Sequence, residues 1–229
     1  MILKCAIYCA IFSLPLYSWT KVYKEWKKIR EELKKHSLYL QRHICMGVYS
    51  AGVLSGWPTE DRAEKSKGFN INTQFEPILY FIRTAERSLD IAIMFIQIKS
   101  ILDELLAASR RNVKVRIIVD YNYNNNKDLR HLERSGIEVL YYVAPDPDIS
   151  TIFHHKYMVK DYTDEDGYLY IGSVNWSVGG VTVNYETFNF IVNRGVVKYY
   201  HEKFHYAWHR IREINETSLY AKGTLTEIS

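Results

Sequence analysis

The chain predicts an α/β fold, a mixed β-sheet flanked by helices on both faces, and three observations carry that reading. From residue 69 onward, apolar runs of strand length alternate with segments whose apolar residues recur at three- and four-residue spacing. Several of the strand-like runs, Leu89 to Ile96 and Val113 to Asp120 among them, are apolar enough to be buried in a sheet covered by helices. At 229 residues and 47% hydrophobic content, the chain can bury a sizeable core in one domain and still carry an appendage.

The appendage is N-terminal. Residues 5–19 carry no charge and are mostly apolar, though this run falls short of the ~20 residues of a comfortable membrane span. With Ile2 and Leu3 included and Lys4 snorkelling, residues 1–20 are expected to be a membrane anchor. A cleaved signal is the competing reading, but no A-x-A site follows and Pro15 sits inside the run. Lys21, Lys24, Lys27, Lys28, Arg30, Lys34 and Lys35 outnumber Glu25, Glu31 and Glu32, which places the rest of the chain in the cytosol. Val22, Trp26, Ile29 and Leu33 have helical spacing, so residues 21–68 read as a basic, solvated stalk helix followed by a Gly- and Pro-containing linker.

The elements of the domain follow in order over residues 69–215. A helix is expected over Glu76 to Ser88, a strand over Leu89 to Ile96, and a helix over Lys99 to Arg111 with Ile101, Leu102, Leu105 and Leu106 inward. Val113 to Asp120 is the next strand, Lys127 to Ser135 a short helix closed by Gly136, and Ile137 to Tyr142 a strand. Strands near 154, 168 and 186 complete the sheet, a long helix starts near 195, and residues 216–229 are a tail. The turn-rich stretches 121–126 and 144–151 are expected to line a groove, and the acidic run 162–167 to form an inserted hairpin. A net charge of +4 permits an anionic substrate without demanding one. Cys5, Cys9 and Cys45 are the only cysteines, so no structural disulfide is expected.

The chemistry concentrates in His154-His155-Lys156, with Asp161 beyond it, then Gly172-Ser173-Val174-Asn175-Trp176-Ser177, then Asn184-Tyr185-Glu186. In a strand, alternate side chains share a face, so His154 and Lys156 point one way and His155 the other. Ser173 and Asn175 are likewise two apart and can offer a hydroxyl and an amide to one phosphate. An imidazole can attack phosphorus without a metal while a second, protonated imidazole donates to the leaving oxygen. The chain holds one such motif, so a two-fold dimer with both His154 residues facing one pocket is the economical solution.

H-x-K-x4-D followed by G-S-x-N-W-S and a downstream Glu resembles the phospholipase D superfamily, and within it the short, single-motif Zucchini or mitochondrial cardiolipin hydrolase family. The resemblance covers roughly residues 69–212. It implies a phosphohistidine on His154 and a homodimer sharing one site. It also implies a mitochondrial outer membrane address and either single-stranded RNA or DNA, as in piRNA processing, or cardiolipin as substrate. On this reading Lys156, Ser173 and Asn175 bind the phosphate, Glu186 accepts from His154 Nδ1, and Asp161 supports the site without touching phosphorus. No cofactor or metal is expected. Zucchini-like proteins can carry a small zinc-binding insertion, but only His36, His43 and Cys45 are available for one here. A remote alternative is a zinc hydrolase built on His201-Glu202-Lys203-Phe204-His205 with His209 one turn on.

Overall fold

The computed structural model describes residues 15–31, 45–50, 53–55, 71–124, 127–148 and 150–226, and the chain divides into two units, Met1–His43 and Ile44–Ser229. In the first unit, residues 15–31 form helix α1. No helix among the described residues is long and apolar enough to cross a membrane. Most of the expected anchor, residues 1–14, lies outside the described residues, as do His36 and His43.

The second unit begins with β1 (Cys45–Ser50) and β2 (Val53–Ser55), followed by α2 (Ile71–Arg83), β3 (Ser88–Ile93) and α3 (Lys99–Arg110). Next come β4 (Lys114–Asp120), the one-turn α4 (Tyr121–Asn124), α5 (Lys127–Arg134) and β5 (Glu138–Tyr142). The motif region supplies β6 (Lys156–Lys160), β7 (Tyr168–Gly172), the short α6 (Val178–Thr182) and β8 (Tyr185–Ile191), and the chain closes with α7 (Arg194–Thr217) and α8 (Leu219–Thr226).

All eight strands join one mixed sheet in the order β2-β1-β8-β7-β6-β3-β4-β5. β3, β4 and β5 are parallel, connected through helices as parallel neighbours must be, whereas β6, β7 and β8 run antiparallel to their neighbours. Alternation divides the side chains between two cores. Leu89, Ile91, Ile117, Met158 and Tyr170 pack with Phe75, Ile78 and Ile82 of α2 and Ile101 and Leu105 of α3. Ala92, Ile118, Tyr157, Val159 and Leu169 pack with Val197, Phe204, Trp208 and Ile211 of α7.

The expected architecture is present, with helices on both faces, and several boundaries move. α2 starts and ends earlier than the spacing suggested, because residues 84–87 are a connection in which the Glu86 and Arg87 amides bond to Asp161. β1 and β2 lie in what read as linker, and β1 pairs with β8 along six residues. Much of the expected tail is helical, α8 having Ala221 buried and Leu225 packed on the core.

Under α7 lies a buried charge cluster. Asp90, 3% exposed, accepts from Arg116 Nε at 2.7 Å and Nη2 at 2.8 Å. Arg116 Nη2 also donates to His205 Nε2 at 3.0 Å, and its guanidinium lies 5.1 Å from the Phe204 ring. His201 Nδ1 stands 3.4 Å from Asp90, with Tyr162 stacked on its ring. Burial pushes the Asp90 carboxyl up, but the His201 ring beside it and the hydrogen bonds and charge of Arg116 outweigh that and hold it below the usual carboxylate range. Removing one partner of such a pair strands the other, so Asp90→Ala is expected to cost about 3–5 kcal/mol in urea unfolding. The stabilisation from Asp90 is present above its unfolded pKa and is lost as pH falls through the depressed folded value, so the deficit of Asp90→Ala should shrink in acid.

Candidate active site

Three adjacent antiparallel strands bring the motif residues to one edge of the sheet. Lys156 opens β6, Ser173 follows the last residue of β7, and Glu186 is the second residue of β8. Because Tyr157 pairs with Ile171 and Gly172 with Phe188, these three positions fall side by side. Gly172 is required there: a Cβ would stand 2.4 Å from the Thr187 carbonyl oxygen, so a side chain would force β7 and β8 apart beside Ser173.

His154 and His155 precede the strand instead of lying in it, yet the alternation holds. His155 lies between the Phe153 and Tyr157 rings, both members of the core facing α7, while Met158, on the face of His154 and Lys156, packs in the opposite core. Burial, and then the charge of Lys156, lower His155 from its ordinary value. The His154 imidazole is exposed and has no hydrogen-bond partner among the described residues. Lys156 is only 6% exposed, and its Nζ donates to the His154 carbonyl at 3.0 Å, tying the cation to the residue beside it. Burial lowers the Lys156 pKa and the nearby Glu186 carboxylate opposes that fall.

Glu186 is placed differently from the expectation. Its carboxylate accepts from the Ser173 hydroxyl and from Asn184 Nδ2 at 2.9 Å, and makes no hydrogen bond to His154. Ser173 Oγ in turn accepts from Thr187 N at 3.1 Å. Glu186 therefore fixes the hydroxyl and biases Lys156, and no hydrogen bond among the described residues sets the His154 tautomer. Asn175 is held by its neighbours. Trp176 is fully buried, and its backbone N–H donates to Phe95 O at 3.1 Å while its backbone carbonyl accepts from Gln97 N at 2.8 Å, pegging the loop to the end of β3. The Asn175 Oδ1 atom is buried without a hydrogen-bond partner among the described residues, and as an acceptor it cannot serve a phosphate, which would have to be met by the Nδ2 donor.

Asp161 does not reach this edge. It sits past the far end of β6 with φ 53°, where its carboxylate accepts from the backbone N–H groups of Glu86, Arg87 and Ser88 at 2.7–3.1 Å. It is a structural clamp that fixes the strand carrying Lys156. The acidic turn 162–167 lies at that same far end, so Asp164, Glu165 and Asp166 are remote from Lys156 and Ser173.

Two residues that spacing did not single out hold the near end. Buried Asp120 accepts from Phe153 N at 2.7 Å, fixing the residue before His154, and from Asn122 N at 3.0 Å. Burial raises its pKa, with those two amides working the other way. Buried Asn124 bonds to Met94 O, Asp120 O and Ile96 N, so it fastens β3 to β4 and is not free to touch a substrate. An acidic residue ending a buried strand was the available signal for Asp120. Nothing in the repetitive Tyr-Asn run distinguished Asn124.

A groove of about 850 Å³ borders the site, walled by His154, His155 and Lys156 on one side and by Tyr199, Lys203, Tyr206 and Arg210 of α7 on the other. Tyr142 and Ile152 also line it, whereas none of the described residues of 121–124 or 144–148 do. The zinc-hydrolase alternative fails on geometry. Among the described residues, ligand atoms of Asp90, His201 and His205 do come within 4.8 Å of one another, but the Arg116 guanidinium bridges Asp90 and His205 where a cation would sit. Glu202, the base such a site needs, is exposed and pairs with Lys198.

The family described as "Cardiolipin synthase, PLD-like domain" matches residues 78–208, more than half of the chain, and the protein belongs to that family. A mitochondrial cardiolipin hydrolase of Xenopus tropicalis is 27% identical over 139 residues, covering 60% of this chain and 62% of the relative. One from Chlamydomonas reinhardtii is also 27% identical, covering 59% and 58% respectively. The chain thus spans less than two thirds of the length of these relatives. Among solved structures, Nuc of Salmonella typhimurium, a phospholipase D family member, superposes with TM-score 0.51 at 20% identity, covering 72% of this chain and 93% of that one. NucT from Helicobacter pylori gives TM-score 0.52 at 22% identity, covering 62% and 89%. At such identities these structures speak for the fold.

The Glu186 carboxylate is the charge that counteracts desolvation of Lys156. Glu186→Gln is therefore expected to lower the Lys156 pKa further, so that the ammonium loses its proton at lower pH, read from the lysine side-chain resonances by NMR across a pH series.

Proposed function

We propose that the protein is a metal-independent phosphodiesterase that works through a phosphohistidine on His154, with a single-stranded nucleic acid, RNA foremost, as its substrate. The observation that carries the reading is the exposed His154, without a hydrogen-bond partner among the described residues, beside a buried cation, with Ser173, Asn175 and Glu186 at or just past the ends of the neighbouring strands. In the first step the His154 Nε2 lone pair attacks phosphorus, a P–N bond forms, and the bond to the leaving oxygen breaks as that oxygen takes a proton from an imidazolium. In the second step water attacks the phosphohistidine, gives its proton to the now neutral imidazole, and releases His154. Lys156 and Asn175 stabilise the charge that builds on the phosphoryl oxygens, and Ser173, oriented by Glu186, assists.

The second imidazole has to come from elsewhere, because His155 faces the α7 side. We assign it to His154 of a second copy in a two-fold homodimer, which would also supply the contact that sets the tautomer. The nucleic-acid preference rests on the groove: Tyr199 is 55% exposed and Tyr206 69%, surfaces on which bases stack, with Lys203 over the Tyr199 ring and Arg210, paired with Glu213, one turn beyond Tyr206 as cations for the phosphates. The second reading is hydrolysis of cardiolipin at the mitochondrial surface. The names of the curated relatives favour it, and Ile152, 47% exposed at the groove wall, offers apolar contact for an acyl chain. The outer mitochondrial membrane, with this domain in the cytosol, is the address that both readings share.

The test is cleavage of end-labelled single-stranded RNA in EDTA by the full chain, with cardiolipin vesicles as the parallel substrate. Wild type is expected to cut RNA, and His154→Asn to lose about 10⁴-fold or more of the rate. Lys203→Ala and Arg210→Ala are expected to leave the rate at saturation unchanged, raise KM, and flatten the dependence of log KM on log salt by about 0.7 for each cation removed. EDTA-resistant turnover of cardiolipin with none of RNA would replace the nuclease by the lipase. Inactivity toward both, in folded dimeric protein, would overturn the phosphodiesterase itself.

A further inference from the structure

We propose that α1 lies flat in the interface of an anionic membrane, its aromatic face among the headgroups and its lysines against lipid phosphates. The inference does not depend on the phosphodiesterase reading. Every residue of 15–31 is exposed, including Leu16 at 65%, Trp19 at 68%, Val22 at 63%, Trp26 at 49% and Ile29 at 53%. At about 100° per residue, these five and Tyr23 fall within one arc of about 140°. Lys21, Lys24 and Lys28 lie on the opposite side and Lys27 at the boundary. Arg30 falls within the apolar arc, yet its guanidinium turns over the Trp26 ring at 5.0 Å, as a cation in an interface does.

The composition selects the occupant. Tryptophan and tyrosine prefer the headgroup level, and a lysine-rich opposite face matches anionic lipid phosphates. A second copy would want a narrow seam of two apolar positions per heptad, which Trp19, Val22, Trp26 and Ile29 alone would supply, whereas Leu16 and Tyr23 widen the arc well beyond such a seam. A spanning helix is excluded for this segment by the four lysines and by Glu25 within it. On this proposal the basic helix read from spacing as a solvated stalk lies on the membrane surface.

Trp19 and Trp26 are seven residues apart, about 10 Å along the axis, so their depths distinguish the geometries. The full chain is bound to phosphatidylcholine vesicles with and without phosphatidylglycerol, carrying bromine near either the carbonyl or the methyl end of the acyl chains. Each indole is read as the difference between the parent and Trp19→Phe or Trp26→Phe. Both are expected to be quenched equally by the shallow bromines, hardly by the deep ones, and more strongly with phosphatidylglycerol. Replacing Lys21, Lys24, Lys27 and Lys28 by Gln should abolish the gain from phosphatidylglycerol, each lysine being worth about fivefold in partitioning. Unequal depths would mean that α1 spans the membrane, and no quenching of either indole that protein covers it; both results overturn the proposal. The Trp→Phe pair decides the geometry even if the lysine variant loses helicity.

Discussion

Everything at the candidate site hangs on the placement of β6, a five-residue strand buried along its whole length between β3 and β7. A slip of one residue would exchange its faces and send Lys156 and the adjoining His154 into the α7 core. Two carboxylates prevent that slip from opposite ends. Asp161 grips three consecutive amides of the chain entering β3, and Asp120 grips Phe153 N just ahead of His154. Neither reaches the candidate phosphate site, and both set where the reacting groups stand. The hydrogen bonds of such buried anions are individually strong, and losing one leaves several amides unsatisfied at once.

The same logic accounts for α7, which read ambiguously as a core helix or a zinc helix. Its HExxH spacing does bring two imidazoles to one place, but the place is occupied by the Asp90–Arg116 pair. His205, which burial and the charge of Arg116 hold below its ordinary pKa, is suited to accept from the guanidinium. The histidines are thus fastenings between the helix and the sheet, and they leave the next stripe of α7, with Tyr199, Lys203, Tyr206 and Arg210, to face the groove.

What was legible in the sequence was whatever repeated or alternated. The helix–strand alternation from 69 to 142, the burial of Leu105 and Ile117, and the opposed faces of His154 and His155 all follow from periods of 3.6 and 2. β1 escaped notice because Gly47 and Ser50 dilute a short pattern, and its place is earned across the sheet, where the Phe188 ring fills the space a side chain at Gly47 would take. Asp161 and Glu186 were found by motif, but their partners are set by folding and not by local spacing: Asp161 bonds to residues more than 70 positions away, and Glu186, expected on His154, bonds to Ser173. Asn124 was invisible for the same reason, being defined by two carbonyls and an amide brought together by folding.

The central claim is that His154, and not its neighbour, carries the phosphoryl group. The direct measurement is to mix the full chain with labelled substrate, quench in alkaline denaturant, where phosphohistidine survives, and locate the label by peptide mass spectrometry. The account predicts an adduct on His154 that forms no more slowly than turnover and is absent in His154→Asn. An adduct on His155, or turnover at full rate with no adduct on either histidine, would contradict it.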